Sequence, residues 1–406
     1  MKEIMKVRSF GPIRELDITF EKITIFIGDQ GTGKSCIAKL FSMFKWMEKS
    51  MLRGQYDVKY FSLYSRFEKQ LEYHRIDSFL DENKSYISFD TKYYSFLYEN
   101  GAFSVTEKTD ESLKGLAKIM YVPAERCYLS SAEKGVRKSL GLPQSCVTFN
   151  DRFNNAKVEF KSGFDLPFGG LRFEYMPVNE TSYISTPDYK IKLSDSSSGI
   201  QSVLPLCLVT EYLSAKVSSE EEREMTSEEQ ERVRKEVKAI MDSKEYSEIV
   251  KEEKLKRVSA ISRYSSFINI VEEPELNMFP NTQLLVIRSL VKVNNQKDDN
   301  MLIITTHSPY MLAIANTLTM ASKISVMGEE WATQVNDIEP NEFHIEVGKL
   351  AVYGLNLNKE EQYCRSIVDA NTNMISINDL DCASEIISSE FNKLYRLHGK
   401  AIRNTK

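Results

Sequence analysis

Histidine is scarce and cysteine is unpaired. Four histidines (His74, His307, His344, His398) and six cysteines (Cys36, Cys127, Cys146, Cys207, Cys364, Cys382) are scattered with no C-x-x-C pair and no Cys/His ligand spacing. That pattern excludes a structural zinc site and a disulfide-stapled scaffold. No run of about 18 apolar residues occurs, so no membrane-spanning helix is expected. The start, MKEIMKVRSFGPIREL, lacks the apolar core of a secretory signal. The expectation is a protein of the reducing cytoplasm, with free thiols and no membrane contact. An excess of one charge is also missing: 53 Lys and Arg face 58 Asp and Glu, for a net charge of −5. Bulk charge therefore does not mark a nucleic-acid binder, and a local basic patch stays open.

What is present is ordinary globular material, 42% hydrophobic and 27% charged over 406 residues. Length alone suggests about two to three domains, or one large α/β domain with insertions. The most informative stretch is EKITIFIGDQGTGKSCIAKLF. Ile23–Ile27 is a short β-branched run and reads as a buried strand. Gly28, Asp29, Gln30, Gly31, Thr32, Gly33, Lys34 and Ser35 match G-x-x-x-x-G-K-[ST], and Cys36 opens a helix carried by Ile37, Leu40, Phe41 and Phe44. Strand, loop and helix together are the setting of a phosphate-binding Walker A loop. Glycines let backbone N–H groups turn toward phosphate, and the helix N-terminus adds positive potential. Lys34 is placed to reach the β- and γ-phosphates of ATP, and the Ser35 hydroxyl to ligate Mg²⁺.

Two further strands end in chemistry. Phe267–Val271 runs into Glu272-Glu273-Pro274-Glu275, where Glu272 is assigned to the Mg²⁺ and Glu273 to the general base for water attack. Met301–Thr305 runs into Thr306-His307-Ser308-Pro309 and then an apolar helix. His307 is thereby positioned to hydrogen-bond a γ-phosphate. His74, His344 and His398 have no such setting. A fourth stretch, KLSDSSSGIQSVLPL (192–206), places Ser196–Ser198 and Gly199 directly before a helical apolar pattern. On its residues alone this is a serine-rich N-cap.

In chain order, Walker A, Ser-Ser-Gly, acidic strand end and Thr-His-Ser-Pro, the four stretches resemble the ABC-type ATPase heads of the SMC, RecF and OLD group. Within that group the likeness is greatest to OLD/PtuA-like bacterial ATPases, through SFGPIRELDITFEKITIFIGDQGTGKS, YVPAER (121–126), VEEPELNMFP (271–280) and TTHSPYML (305–312). The resemblance covers roughly residues 1–45, 119–127 and 190–320. It implies a P-loop α/β head with an antiparallel β-lobe and a helical insertion. It places Ser198, Gly199 and Gln201 at the signature that faces the ATP held by a partner subunit. Ile200 departs from the family, where a second glycine is common. It puts Tyr121–Arg126 at the nucleotide-sensing loop, with a structural Glu125–Arg126 pair as the alternative. Glu275–Asn277 would meet the partner subunit.

The resemblance implies one head over 1–406. Residues 1–127 carry the Walker loop and the β-lobe, and 128–189 an insertion and return strands. Residues 190–320 carry the signature, acidic and histidine stretches, and 321–406 close the fold. Alternating aromatics over 85–108 and the Asn100-Gly101 pair predict hairpins. Residues 128–165 hold basic residues (Lys134, Arg137, Lys138, Arg152, Lys157, Lys161) where SMC proteins insert a coiled coil, and the insert is far too short for one. The charge-dense 217–262 segment predicts a projecting helical hairpin, with Thr226-x-x-Glu229 as a capping box and Val233, Val237, Ile240 and Met241 as its apolar stripe. Strands are expected at Lys323–Val326 and Phe343–Val347, and helices over 385–397. The Asp379-Leu-Asp381 triplet lacks a preceding acidic strand end, so no nuclease is expected in this chain. The functional expectation is an ATP-hydrolysing switch, a homodimer or larger homo-oligomer. It would control a separate nuclease effector (HNH or Toprim) in anti-phage defence. The alternatives are a RecF/SMC-like DNA clamp, with DNA contact, and a non-enzymatic nucleotide-gated scaffold.

Overall fold

The computed structural model describes residues 2–108, 115–131, 141–219, 225–243, 246–358, 360–375 and 390–395. Its centre is a six-stranded sheet in the order Cys364–Ser366, Leu350–Leu355, Ile23–Gly28, Met301–Thr306, Tyr264–Glu272, Leu116–Val122. Every pairing is parallel except that of the short edge strand 364–366. The near-continuous apolar runs follow from this, because a parallel sheet is covered on both faces. Ile23, Ile25 and Ile27 point into one core and Phe26 into the other, as the two-residue strand period requires. The ends of the strands at Gly28, Val122, Glu272 and Thr306 therefore share one edge of the sheet, where an open α/β fold builds its ligand crevice.

One face is covered by the helix Lys34–Leu52 and a five-stranded antiparallel sheet in the order 13–20, 3–10, 86–90, 94–99, 102–107. The aromatic alternation becomes packing here: Phe44 packs at a tilt against Phe89 and Phe96 at centroid distances of 5.5 and 5.1 Å. Replacing so buried a phenylalanine by alanine costs about 3–5 kcal/mol. Asn100 and Gly101 both take positive φ, 52° and 73°, which closes the expected two-residue hairpin. The other face carries the helices Gln144–Glu159, Ser198–Ser218, Pro280–Asn295 and Pro309–Ser325. A small four-stranded sheet over 164–192 leads through the turn Leu193–Asp195 into the helix at Ser198.

The 217–262 segment forms helices Ser227–Asp242 and Glu248–Ile261, and the Thr226/Glu229 capping box is made. The apolar stripe is narrower than expected, since Ile240 is buried while Met241 turns to solvent. The hairpin is also tied down. One Glu229 carboxylate oxygen accepts from the Thr226 N–H at 3.0 Å, and the other from the Arg53 guanidinium at 2.7 Å.

The C-terminal third corrects two expectations. Lys323–Ser325 is not a strand but the last turn of the helix Pro309–Ser325, and Val326 is its exposed cap. A helix already burying Leu318 and Ala321 continues through the β-branched residues. Phe343–Val347 is not a strand either. Phe343 ends a turn set by Pro340, and the Ile345 N–H bonds the Leu318 carbonyl, a helix partner in place of a strand. The strand role falls to Leu350–Leu355, beside the Walker strand. Residues 390–395 are helical, whereas the rest of 385–397, Asp379-Leu-Asp381, Lys134, Arg137, Lys138 and His398 lie outside the described residues. Among the described residues no helix is long and apolar enough to cross a membrane.

Candidate functional site

The phosphate loop is built by tight backbone contacts. Gly28 takes φ 154°, and a Cβ there would run into the Leu355 carbonyl oxygen; at Gly33, φ 95°, a Cβ would stand 2.9 Å from the Tyr363 hydroxyl. That hydroxyl donates to the Thr32 carbonyl. Thr32 Oγ1 in turn donates to the Asp29 carbonyl at 2.7 Å. Asp29, Gln30 and Gly31 are exposed at the loop tip, and Ser35 is half-buried at the start of the helix. Cys36 is buried and burial pushes its thiol up to about 12, so at this position only the backbone N–H is available to phosphate.

Lys34 lies across the loop. Its ammonium donates to the Gly28 and Asp29 carbonyls at 2.7 and 2.8 Å and to Thr32 Oγ1 at 3.3 Å. Burial pulls its pKa down to about 8, and the nearby carboxylates of Glu273, Asp29 and Glu275 hold it from falling further. His307 Nδ1 is 3.5 Å from the Lys34 ammonium, and His307 Nε2 is 3.5 Å from Glu273 Oε1. The strand ends thus bring Lys34, His307 and Glu273 together. An ammonium beside Nδ1 and a carboxylate beside Nε2 suit a proton on Nε2.

Glu273 follows the strand with φ 43°, a left-handed conformation that costs a non-glycine residue about 1–2 kcal/mol. Its N–H donates to the Thr305 carbonyl at 2.8 Å. Glu272 is 4% exposed; Oε2 accepts from the Ala124 N–H at 3.4 Å, and Oε1 is buried without a hydrogen-bond partner. Burial and the Glu272 carboxylate together push the Tyr121 phenol well above its ordinary pKa. The orphaned Glu272 oxygen fits a role as a metal ligand. Among the described residues no three of His, Cys, Asp and Glu gather as a cage. Mg²⁺ takes one or two protein ligands and fills its octahedron with phosphate and water oxygens. Ser35 and Glu272 are the residues that would hold it.

Three placements were not foreseen. Glu275, expected to meet a partner subunit, turns inward: its Oε1 accepts from Thr306 Oγ1 at 2.6 Å and from the His307 N–H at 2.8 Å. It fixes the turn that aims His307. Gln201 is occupied by its own loop, its Nε2 donating to the carbonyls of Leu193, Ser194 and Ser196 at 3.3, 3.0 and 2.9 Å. Arg126 is buried and bonds four backbone carbonyls, whereas Glu125 is exposed with its Oε2 4.0 Å from Cys146 Sγ; no Glu125–Arg126 pair forms. The roles of Glu275 and Arg126 depend on segments distant in the chain and no local sequence signal marks them, whereas Gln201 bonds carbonyls five to eight positions before it. Ser197 is the N-cap of the helix Ser198–Ser218, accepting from the Ile200 N–H at 3.5 Å. Ser198 is exposed in its first turn. Gly199 lies against the Asn277 carbonyl, which a Cβ would approach to 2.7 Å.

No protein-family model matches the chain, and no curated protein matches it. Solved structures do. The SMC head domain from Thermotoga maritima is 11% identical, covers 90% of this chain and 98% of its own, and has a TM-score of 0.38. An Smc head with an extended coiled coil, bound to the C-terminal domain of ScpA from Pyrococcus furiosus, is 10% identical over 96% of this chain and 98% of its own, with a TM-score of 0.38. The recombination mediator protein RecF is 11% identical over 76% of this chain and 92% of its own, with a TM-score of 0.27.

Proposed function

We propose that this chain binds ATP with Mg²⁺ and hydrolyses it. The observation that carries the reading is the Lys34–His307–Glu273 row, assembled from the phosphate loop and two strand ends on one edge of the sheet. Gly28–Cys36 would hold the phosphates through backbone N–H groups and the Lys34 ammonium, which exchanges its loop carbonyls for phosphate oxygens. Bound Mg²⁺ would neutralise charge on the β- and γ-oxygens. Glu273 would take the proton of a water as its oxygen bonds the γ-phosphorus and the β–γ bridge breaks toward ADP. His307, with Nε2–H toward Glu273, would hold that carboxylate and meet a γ-phosphate oxygen.

The likeness of residues 271–280 and 305–312 to OLD/PtuA-like ATPases supports a finer reading. Two or more heads close on ATP through Ser198 and Gly199, and the closed assembly controls a separate nuclease effector in anti-phage defence. The decisive experiment measures phosphate release and assembly size with ATP for the wild type and for Glu273→Gln. The reading expects turnover in the wild type, and a bound, closed, non-hydrolysing assembly in the variant. Phage challenge of cells carrying the gene with its neighbours tests the finer part: protection must be lost with Glu273→Gln. Equal turnover of the two proteins removes Glu273 from its role.

A further inference from the structure

Arg126 is the largest fully buried polar side chain in the described structure. Its guanidinium donates to four carbonyls from three separate segments. Nε reaches Ser202 at 3.1 Å, Nη1 reaches Pro123 at 3.2 Å and Glu272 at 2.6 Å, and Nη2 reaches Glu273 at 2.5 Å. Ser202 belongs to the helix that begins at Ser198. Glu272 and Glu273 are the strand end where metal and base functions are placed. A planar fork with fixed donors is suited to bridging such carbonyls, and an ammonium cannot span them all. The clamp also sits where the backbone is strained, since Glu273 has φ 43°. A second contact joins the same two segments, Gly199 against the Asn277 carbonyl. Helix start and strand end are therefore one mechanical unit.

We propose that Arg126 is a positioning residue that transmits contact at the Ser198 helix start to the Glu272–Glu273 strand end. The inference rests on the ATPase reading. It adds that nucleotide met by Ser198 of one subunit sets the base of that same subunit. The two nucleotide sites of an assembly are then coupled, and hydrolysis depends on ATP cooperatively. The guanidinium touches no substrate; it acts through the carboxylates whose backbone it holds.

The test uses full-length wild type and Arg126→Lys, which keeps the charge and loses the fork. Nucleotide affinity should stay within about threefold, because the phosphate loop is untouched. Turnover number should fall about 100-fold, the scale of a misplaced reacting group. The ATP dependence, sigmoid in the wild type, should become hyperbolic. An active wild type with Arg126→Lys at full turnover overturns this inference alone. So does a variant that loses affinity, turnover and melting temperature together, which marks a purely structural arginine. A wild type inert toward ATP overturns the reading beneath it. If Arg126→Lys does not fold, amide hydrogen exchange of the wild type decides. ATP must slow exchange over 198–204 and 270–275 together, and a response confined to 270–275 overturns the proposal.

Discussion

Lys34 spends its ammonium on the carbonyls of Gly28 and Asp29, in a setting that lowers its pKa to about 8. The sign of the consequence is fixed. A lysine at about 8 in the fold and 10.5 as its ordinary value is charged at a cost below pH 8, and the cost fades as pH rises toward 10.5. Folding stability from this group therefore rises with pH across that window. Phosphates placed beside the ammonium favour its charged form, so binding takes up protons where free Lys34 is partly neutral. Calorimetry at about pH 8.5 should give a binding enthalpy that changes with the ionisation enthalpy of the buffer. Lys34→Ala should abolish the buffer dependence and weaken ATP binding by at least about tenfold, or 1.4 kcal/mol. Unchanged affinity in that variant contradicts the phosphate-loop assignment. Glu273→Gln is a different case. It keeps shape and loses only the proton acceptor, so hydrolysis should fall about 10²–10⁴-fold with affinity retained.

At the scale of elements, the helical hairpin is more than a solvated arm. Glu229 closes its first turn and, with its other oxygen, grips Arg53 at the cap of the helix that starts on the phosphate loop. Its carboxylate is 4% exposed and the Arg53 side chain 21%. Arg53→Ala leaves that carboxylate short of a partner and should destabilise the fold by about 1–3 kcal/mol, read as a shift in the urea midpoint. A shift no larger than that of an exposed control, such as Lys235→Ala, would reduce the contact to surface decoration. The same helices show what the sequence makes legible. The loop with its strand and helix, the strands ending at Glu272 and Thr306, the Asn100-Gly101 hairpin and the Thr226 capping box all rest on short-range patterns, and all appear. Lys323–Val326 reads as a strand because Ile324 and Val326 are β-branched, yet the helix from Pro309 has enough buried contacts to run through most of it. The inward turn of Glu275 and the clamp of Arg126 were not legible. Apart from Pro123, their partners lie 31 to 147 positions away, and no local period records them.

At the scale of the whole molecule, the question is whether Ser198 serves its own subunit or another. Lys34 and Ser35 belong to the phosphate loop, whereas Ser198 stands exposed at a helix N-terminus packed against the 277 carbonyl. If Ser198 meets nucleotide across an interface, Ser198→Arg should spare ATP binding by a single chain, which the loop amides and Lys34 carry. It should abolish hydrolysis, which needs the assembled site. Subunits carrying Lys34→Ala and Ser198→Arg, each inactive alone, are then mixed. In a mixed pair one composite site holds both lesions and the other holds neither, so independent sites return part of the activity, whereas sites coupled through Arg126 return none. The measurement is phosphate release against mixing ratio, with mixed pairs verified by native mass spectrometry. No return of activity with mixed pairs present means that Ser198 acts within its own chain or that both sites must fire together. Wild-type hydrolysis by Ser198→Arg alone would reduce the serine run to an N-cap.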